Sequence, residues 1–163
     1  MKILKEKGKM IAMAESCTAG LAAAFITRIS GASAVFWGSF VTYTADAKSK
    51  MLGLPEELIK RHGEVSQAVA QAMAEAALEK SGSTWAFSIT GLAGPAPAEA
   101  SQADPPVGTV WIGYAWRGEN CHSKPRSEAT VYLFKGERNE VREAAAAAAL
   151  EGLLKRLLTA GRF

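Results

Sequence analysis

Three short segments carry the side chains best suited to covalent chemistry. Ala14-Glu15-Ser16-Cys17-Thr18-Ala19-Gly20 sets two hydroxyls and a thiol where an apolar strand gives way to a helix. A serine or threonine there can cap the helix by accepting from its free N–H groups. The same N–H groups and the positive helix end can instead stabilise an oxyanion, which would make Ser16 a nucleophile. Both roles are open on this segment alone. Cys17 is a rival nucleophile, or else a small half-buried filler.

A nucleophilic serine needs a base. His62 and His122 are the only histidines, Asp46 and Asp104 the only aspartates, and no Gly-x-Ser-x-Gly elbow is present. A Ser-His-Asp triad therefore has little support. Metal hydrolysis has less, because no His pair stands at helical spacing and no ligands cluster. Lysine serves as a base when burial favours its neutral form. In Val41-Thr42-Tyr43-Thr44-Ala45-Asp46-Ala47-Lys48, Lys48 follows Tyr43 by five residues, so two proton-transfer groups lie close together in the chain. A solvated lysine on a short helix is the competing reading. The third segment, Thr90-Gly91-Leu92-Ala93-Gly94-Pro95, opens a stretch without periodicity that runs to Pro106. Its glycines allow close backbone approach, and successive N–H groups suit an anion, although a plain surface loop has the same composition.

The elements that must position these residues follow from periodicity. Residues 2–9 read as a polar helix and Met10–Ala14 as a buried strand. Thr18–Ile29 reads as a helix stopped by Ser30-Gly31, and Ala34–Tyr43 as a strand with Val35, Trp37, Ser39, Val41 and Tyr43 on one face. A short helix is expected over Ala45–Leu52, and another from Pro55 to His62-Gly63. Ser66 caps a long helix to Lys80 that buries Val69, Met73 and Ala77. Thr84–Ile89 is an apolar strand; Val107–Trp116 and Ser127–Phe134 form a hairpin around Gly118-Glu119-Asn120. A last helix over about Asn139–Thr159 turns a core stripe of Leu150, Leu153, Leu154, Leu157 and Leu158 to the sheet, its alanines permitting close packing. Strands this apolar, alternating with helices, predict an α/β fold with a mixed sheet covered on both faces.

Composition limits the rest. With 163 residues, 48% of them hydrophobic and 21% charged, the chain suits one domain spanning 1–163. The net charge of +3 is scattered apart from Lys2, Lys5, Lys7 and Lys9, and no aromatics are interleaved, so nucleic acid is not an expected partner. Glu15 interrupts the early apolar stretch, and no run reaches the roughly 18 apolar residues of a membrane span. The two cysteines, Cys17 and Cys121, cannot build a disulfide framework, which points to a reduced cytoplasm.

Seven segments in register resemble the CinA C-terminal domain family, which includes stand-alone nicotinamide mononucleotide deamidases of the PncC kind. They are Ala14-Glu15-Ser16-Cys17-Thr18; Val41-Thr42-Tyr43 with Lys48; Leu52-Gly53 with Pro55; His62-Gly63 with Val65-Ser66; Thr90-Gly91 with Ala93-Gly94-Pro95; Pro106-Val107-Gly108-Thr109-Val110; and Phe134 with Gly136, Arg138 and Arg142. The resemblance implies a three-layer α/β/α sandwich. It implies deamidation of nicotinamide mononucleotide to nicotinic acid mononucleotide and ammonia, with Ser16 as nucleophile, Lys48 as base and Tyr43 assisting. Cys17, Thr18, Thr90, Gly91, Ala93, Gly94 and Arg138 would contact the nucleotide. No metal or organic cofactor is implied, and a homo-oligomer is expected. Two positions depart from the family pattern. Ala19 stands where glycine is usual, and Ala96-Pro97-Ala98 replaces a glycine run, so that loop must run differently.

Overall fold

The structure is a computed structural model that describes residues 1–96, 105–118 and 124–159. Expectations on Pro97, Ala98, Asp104, the Glu119-Asn120 turn, Cys121 and His122 lie outside the described residues.

The sheet is built around β1 (Ile11–Glu15), every residue of which is buried. It runs parallel to β2 (Phe36–Val41) on one side and to β3 (Trp85–Gly91) on the other. β4 (Thr109–Trp116) pairs antiparallel with β3, and β5 (Arg126–Leu133) antiparallel with β4, giving the order β2-β1-β3-β4-β5. The two-residue period of β1 divides the core. Ile11 and Met13 point to the face covered by α1 (Lys2–Glu6), α2 (Leu21–Thr27) and α6 (Arg138–Thr159). Ala12 and Ala14 point to the face covered by α4 (Glu56–His62) and α5 (Gln67–Ser81). The result is the three-layer α/β/α sandwich with a mixed sheet. Among the described residues no helix is long and apolar enough to cross a membrane.

Small residues set how near the helices come. The α5 face of the sheet is lined by Ala12, Ala14, Ala86 and Ala115. A Cβ at Gly113 would run into the Ala70 carbonyl, which accepts instead from Ser88 Oγ at 2.6 Å. On the other face Gly152 leaves room for the Tyr114 hydroxyl, which donates to the Ala149 carbonyl at 3.2 Å. Ser66 caps α5 as expected, its Oγ accepting from Val69 N–H, and Val69, Met73 and Ala77 are buried.

Four expectations need correction. α2 begins at Leu21, not Thr18, because Ala19 (φ 50°) and Gly20 (φ 91°) take left-handed conformations that a helix cannot contain. β2 does not keep one face from Val35 to Tyr43. Residues Ala32–Ala34 form a short 3₁₀ turn, and the pairing slips between Ile11↔Phe36 and Ala12↔Gly38, so Trp37 bulges out and stacks on Phe40. Ala45–Leu52 is not one regular helix: the single turn α3 (Ala45–Ala47) passes into a π turn over Lys48–Leu52 that ends at Gly53. The leucine stripe of α6 is only partly core, for Leu153 and Leu157 are buried while Leu154 and Leu158 are about half exposed.

Candidate active site

β1 sits between its two parallel neighbours, so the chain leaves its C-terminal end toward β2 and later returns on the other side at β3. Open α/β sheets place ligands at such a switch point. Ser16 stands there, one residue past β1, its N–H held by the Ile89 carbonyl of β3 at 2.9 Å. It lines a cavity of about 230 Å³ together with Cys17, Tyr43, Glu64 and Arg138 and the Thr90–Pro95 loop.

Glu15 determines what the turn after Ser16 does. Its carboxylate is fully buried, yet it accepts five hydrogen bonds. Oε2 takes those of Thr18 Oγ1 (2.8 Å), Gly20 N–H (3.0 Å) and Ala22 N–H (3.1 Å). Oε1 takes those of Ala23 N–H (3.1 Å) and Ser39 Oγ (2.9 Å). The start of α2 is thus capped by an acidic side chain from the preceding strand, not by Ser16 or Thr18. The helix N–H groups are committed to Glu15 and cannot receive an oxyanion. The N–H groups of Cys17 and Thr18, in the turn itself, have no acceptor among the described residues. Arg142 braces that turn from α6, donating from Nε to the Cys17 carbonyl and from Nη2 to the Thr18 carbonyl, both at 3.1 Å. Those bonds hold the carbonyls toward α6.

Lys48 opens the π turn and is fully buried behind Ser16. Its Nζ donates to Ser16 Oγ at 3.2 Å and to Glu64 Oε2 at 2.7 Å. Glu64 comes from the connection between α4 and α5, and its side chain is 45% exposed, so the lysine links a buried hydroxyl to a carboxylate that reaches solvent. Thr90 Oγ1 donates to the Glu64 backbone carbonyl at 2.8 Å and thereby fixes that connection against the end of β3. An amine in contact with a serine hydroxyl can take its proton, and a carboxylate beside the amine can hold or orient a second one.

The other anticipated residues are distributed around this pair. Tyr43 is 50% exposed and stands at the rim, where its hydroxyl accepts from Arg138 Nη2 at 2.7 Å. Arg138 also donates to the Gly94 carbonyl, joining α6 to the loop after β3. Tyr43 and Lys48 are therefore five residues apart in the chain but at opposite sides of Ser16, one at the cavity mouth and one beneath. Cys17, Gly91, Ala93 and Gly94 line the cavity; the Thr18 side chain turns away to Glu15. Burial pushes the Cys17 thiol up from 9.0 to about 11, outweighing the pull toward thiolate of its own backbone N–H and of Arg142 and Lys48. It is a filler with a poorly ionised thiol. In the loop, Leu92 N–H is committed to the Thr109 carbonyl at 2.9 Å, whereas Ala93 and Gly94 N–H groups are without acceptors among the described residues. Glycine is required at both ends of that turn: a Cβ on Gly91 would lie 2.7 Å from the Thr109 carbonyl, and Gly94 has φ 90°. Among the described residues no three His, Cys, Asp or Glu side chains stand together as metal ligands.

Glu15, Glu64 and Arg142 were not anticipated as site residues. Glu15 and Arg142 fall inside recognised segments and Glu64 inside the His62–Ser66 segment, and a buried position for Glu15 could have been inferred from its place at the end of an apolar strand.

The model of the CinA C-terminal domain matches residues 1–157. A CinA-like protein of Geobacter sulfurreducens is 43% identical over 159 residues, which cover 98% of this chain and 36% of that protein. Another, of Akkermansia muciniphila, is 44% identical over 151 residues, 93% of this chain and 34% of that one. The chain thus spans about a third of the length of these relatives. The crystal structure of the competence damage-inducible protein A of Klebsiella pneumoniae superposes with a TM-score of 0.86 at 30% identity, covering 96% of this chain and 91% of that one. The competence/damage inducible protein CihA of Agrobacterium tumefaciens superposes with a TM-score of 0.82 at 37% identity, covering 94% and 88%. From the match over nearly its whole length and the shared architecture, the chain belongs to the CinA C-terminal domain family.

Proposed function

We propose that the chain is a cytoplasmic amidohydrolase that deamidates nicotinamide mononucleotide, with Ser16 as nucleophile and Lys48 as base. The observation that carries this reading is the 3.2 Å contact between Ser16 Oγ, in an open cavity, and the fully buried Lys48 Nζ behind it. Ser16 Oγ attacks the carboxamide carbon as its proton passes to the neutral amine of Lys48. Glu64, which reaches solvent, relays a proton of the lysine to water beforehand, and this leaves the amine free to act and Glu64 an acceptor beside it. The new oxyanion lies against the free N–H groups of Cys17 and Thr18. Lys48 then protonates the departing nitrogen, the C–N bond breaks and ammonia leaves. Water attacks the acyl-enzyme, giving its proton back through Lys48 as the Ser16 C–O bond breaks, and nicotinic acid mononucleotide is released.

The substrate part of the reading rests on the rim. Arg138 supplies a guanidinium, and Ala93 and Gly94 supply backbone N–H groups, a donor set suited to a phosphate. To take up the phosphate, Arg138 exchanges its bonds to Tyr43 and Gly94 for the ligand, which frees the Tyr43 hydroxyl at the cavity mouth. Energy gained there holds the carboxamide against Ser16, so loss of the phosphate should lower kcat as well as affinity.

The test is ammonia release and nicotinic acid mononucleotide formation from the mononucleotide, the riboside and free nicotinamide. The mononucleotide should turn over far faster than the other two. Equal turnover of mononucleotide and riboside would remove the phosphate from the argument, and binding without turnover would make the chain a nucleotide-binding domain.

A further inference from the structure

The base role of Lys48 has a geometric requirement that Glu64 alone does not meet. A neutral amine carries two N–H bonds and one lone pair, tetrahedrally arranged. For the lone pair to point at Ser16 Oγ, both N–H bonds must find acceptors elsewhere; otherwise the amine rotates about its Cε–Nζ bond. Glu64 Oε2, at 2.7 Å, is one acceptor. Thr42 offers the other. Its residue is fully buried, and its Oγ1 has no hydrogen-bond partner among the described residues. A buried hydroxyl left unpaired is costly and calls for a reason.

Its position supplies one. Thr42 N–H donates to the Glu15 carbonyl at 2.8 Å, so the chain still runs beside β1 one residue past the end of β2. The parallel register Ala14↔Phe40, Glu15↔Val41 continues to put Thr42 next to Ser16. The two-residue period then sets both on the sheet face of Ala14 and Phe40, the face against which Ala45 and Leu52, flanking Lys48, are packed. An amine short of one acceptor and a hydroxyl short of any partner thus occupy the same buried corner, both beside Ser16.

We infer that Thr42 Oγ1 is the second acceptor of the Lys48 amine, through one buried water, and that it positions the lysine lone pair toward Ser16. This rests on the serine–lysine reading of the site, and not on the identity of the substrate. Thr42→Val keeps the shape and removes only the hydroxyl, whereas Thr42→Ser keeps the hydroxyl and removes a methyl.

The test reads the pair without any amide substrate. An alkyl fluorophosphonate reacts with an activated serine: the Ser16 Oγ–P bond forms, the P–F bond breaks, fluoride leaves and Lys48 takes the proton. Its second-order labelling rate is measured on wild type, Thr42→Val and Thr42→Ser, with melting temperatures alongside. Thr42→Val should label roughly tenfold more slowly, the loss of about one hydrogen bond, while its melting temperature falls by no more than the loss of that one bond explains. Thr42→Ser should label within about threefold of wild type despite the small cavity it creates, since the hydroxyl is kept. With the mononucleotide, Thr42→Val should lower kcat and leave KM nearly unchanged. Equal labelling of wild type and Thr42→Val overturns the inference and leaves the amidase reading intact. Slow labelling of both variants with a matching loss of melting temperature also overturns it, as a packing effect. An unlabelled wild type overturns it too, and the serine–lysine reading with it. Normal labelling of wild type with no turnover of the mononucleotide rejects only the substrate, and the Thr42 comparison still decides the inference.

Discussion

The carboxylate of Glu15 is the structural device on which the nucleophile turn depends, and Glu15→Gln tests it with the smallest change of shape. The five donors divide three to Oε2 and two to Oε1. Glutamine can turn its oxygen to the Thr18, Gly20 and Ala22 side, and its amide then faces Ala23 N–H and Ser39. The Ser39 hydroxyl can rotate to accept, but Ala23 N–H meets another donor and is left unpaired. One unpaired buried N–H costs roughly 1–3 kcal/mol. Loss of the negative charge at the start of α2 removes about 1 kcal/mol more, toward the upper range for a buried helix end. The sum is about 2–4 kcal/mol. For a domain of this size each kcal/mol lowers the melting temperature by roughly 2–4 °C, so a fall of about 4–16 °C is expected. Urea unfolding followed by far-UV circular dichroism measures it, with the m-value required to match wild type. A Glu15→Gln variant within about 0.5 kcal/mol of wild type at unchanged m would refute the capping argument.

Three other outcomes follow from the site. Lys48→Met should lower turnover of the mononucleotide by about 10²-fold or more without unfolding the protein, because the Glu64 carboxylate it abandons is exposed enough to be hydrated; Lys48→Arg should not rescue it, since guanidinium stays protonated, and an active arginine variant would show that only charge is needed. In a Cys121→Ser background, native Cys17 should be alkylated by iodoacetamide at pH 8 roughly 100-fold more slowly than in denaturant, two pH units of lost ionisation, and equal rates would contradict its burial. Because the folded thiol keeps its proton to about 11, its contribution to stability is complete below 9.0 and is lost as pH rises toward 11. Ala19→Gly should raise stability by about 0.5–1 kcal/mol, as relief of the φ 50° strain outweighs the added chain entropy; a melting temperature below that of wild type would count against strain at Ala19.

The layers of the fold were legible because they are written in local periodicity. An apolar run over β1 and β3, a capped helix with Val69, Met73 and Ala77 four residues apart, and an alanine-rich α6 each specify an element without reference to the others. Local rules failed where the backbone departs from them on behalf of a distant group. Ser16 and Thr18 have the types of helix caps, but the cap is Glu15, and that carboxylate reaches α2 only because Ala19 and Gly20 turn the chain back through left-handed conformations.

The site was harder to read than its residues. Tyr43 and Lys48 are neighbours in the chain, and that nearness suggested joint action; the π turn instead carries Lys48 under Ser16 while Tyr43 stays at the rim with Arg138. Glu64 was invisible because its partner lies 16 residues away and is met only where the α4–α5 connection crosses the end of β3, pinned by Thr90. Both surprises have the same origin. A buried charge needs partners, and partners in a sandwich of this kind come from whichever strand end or connection passes nearby, not from the next turn of the same helix. A lysine read from sequence as a candidate base therefore needs acceptors that its own segment does not supply, and the Thr42 hydroxyl next to Ser16, without a partner among the described residues, is placed to be one of them.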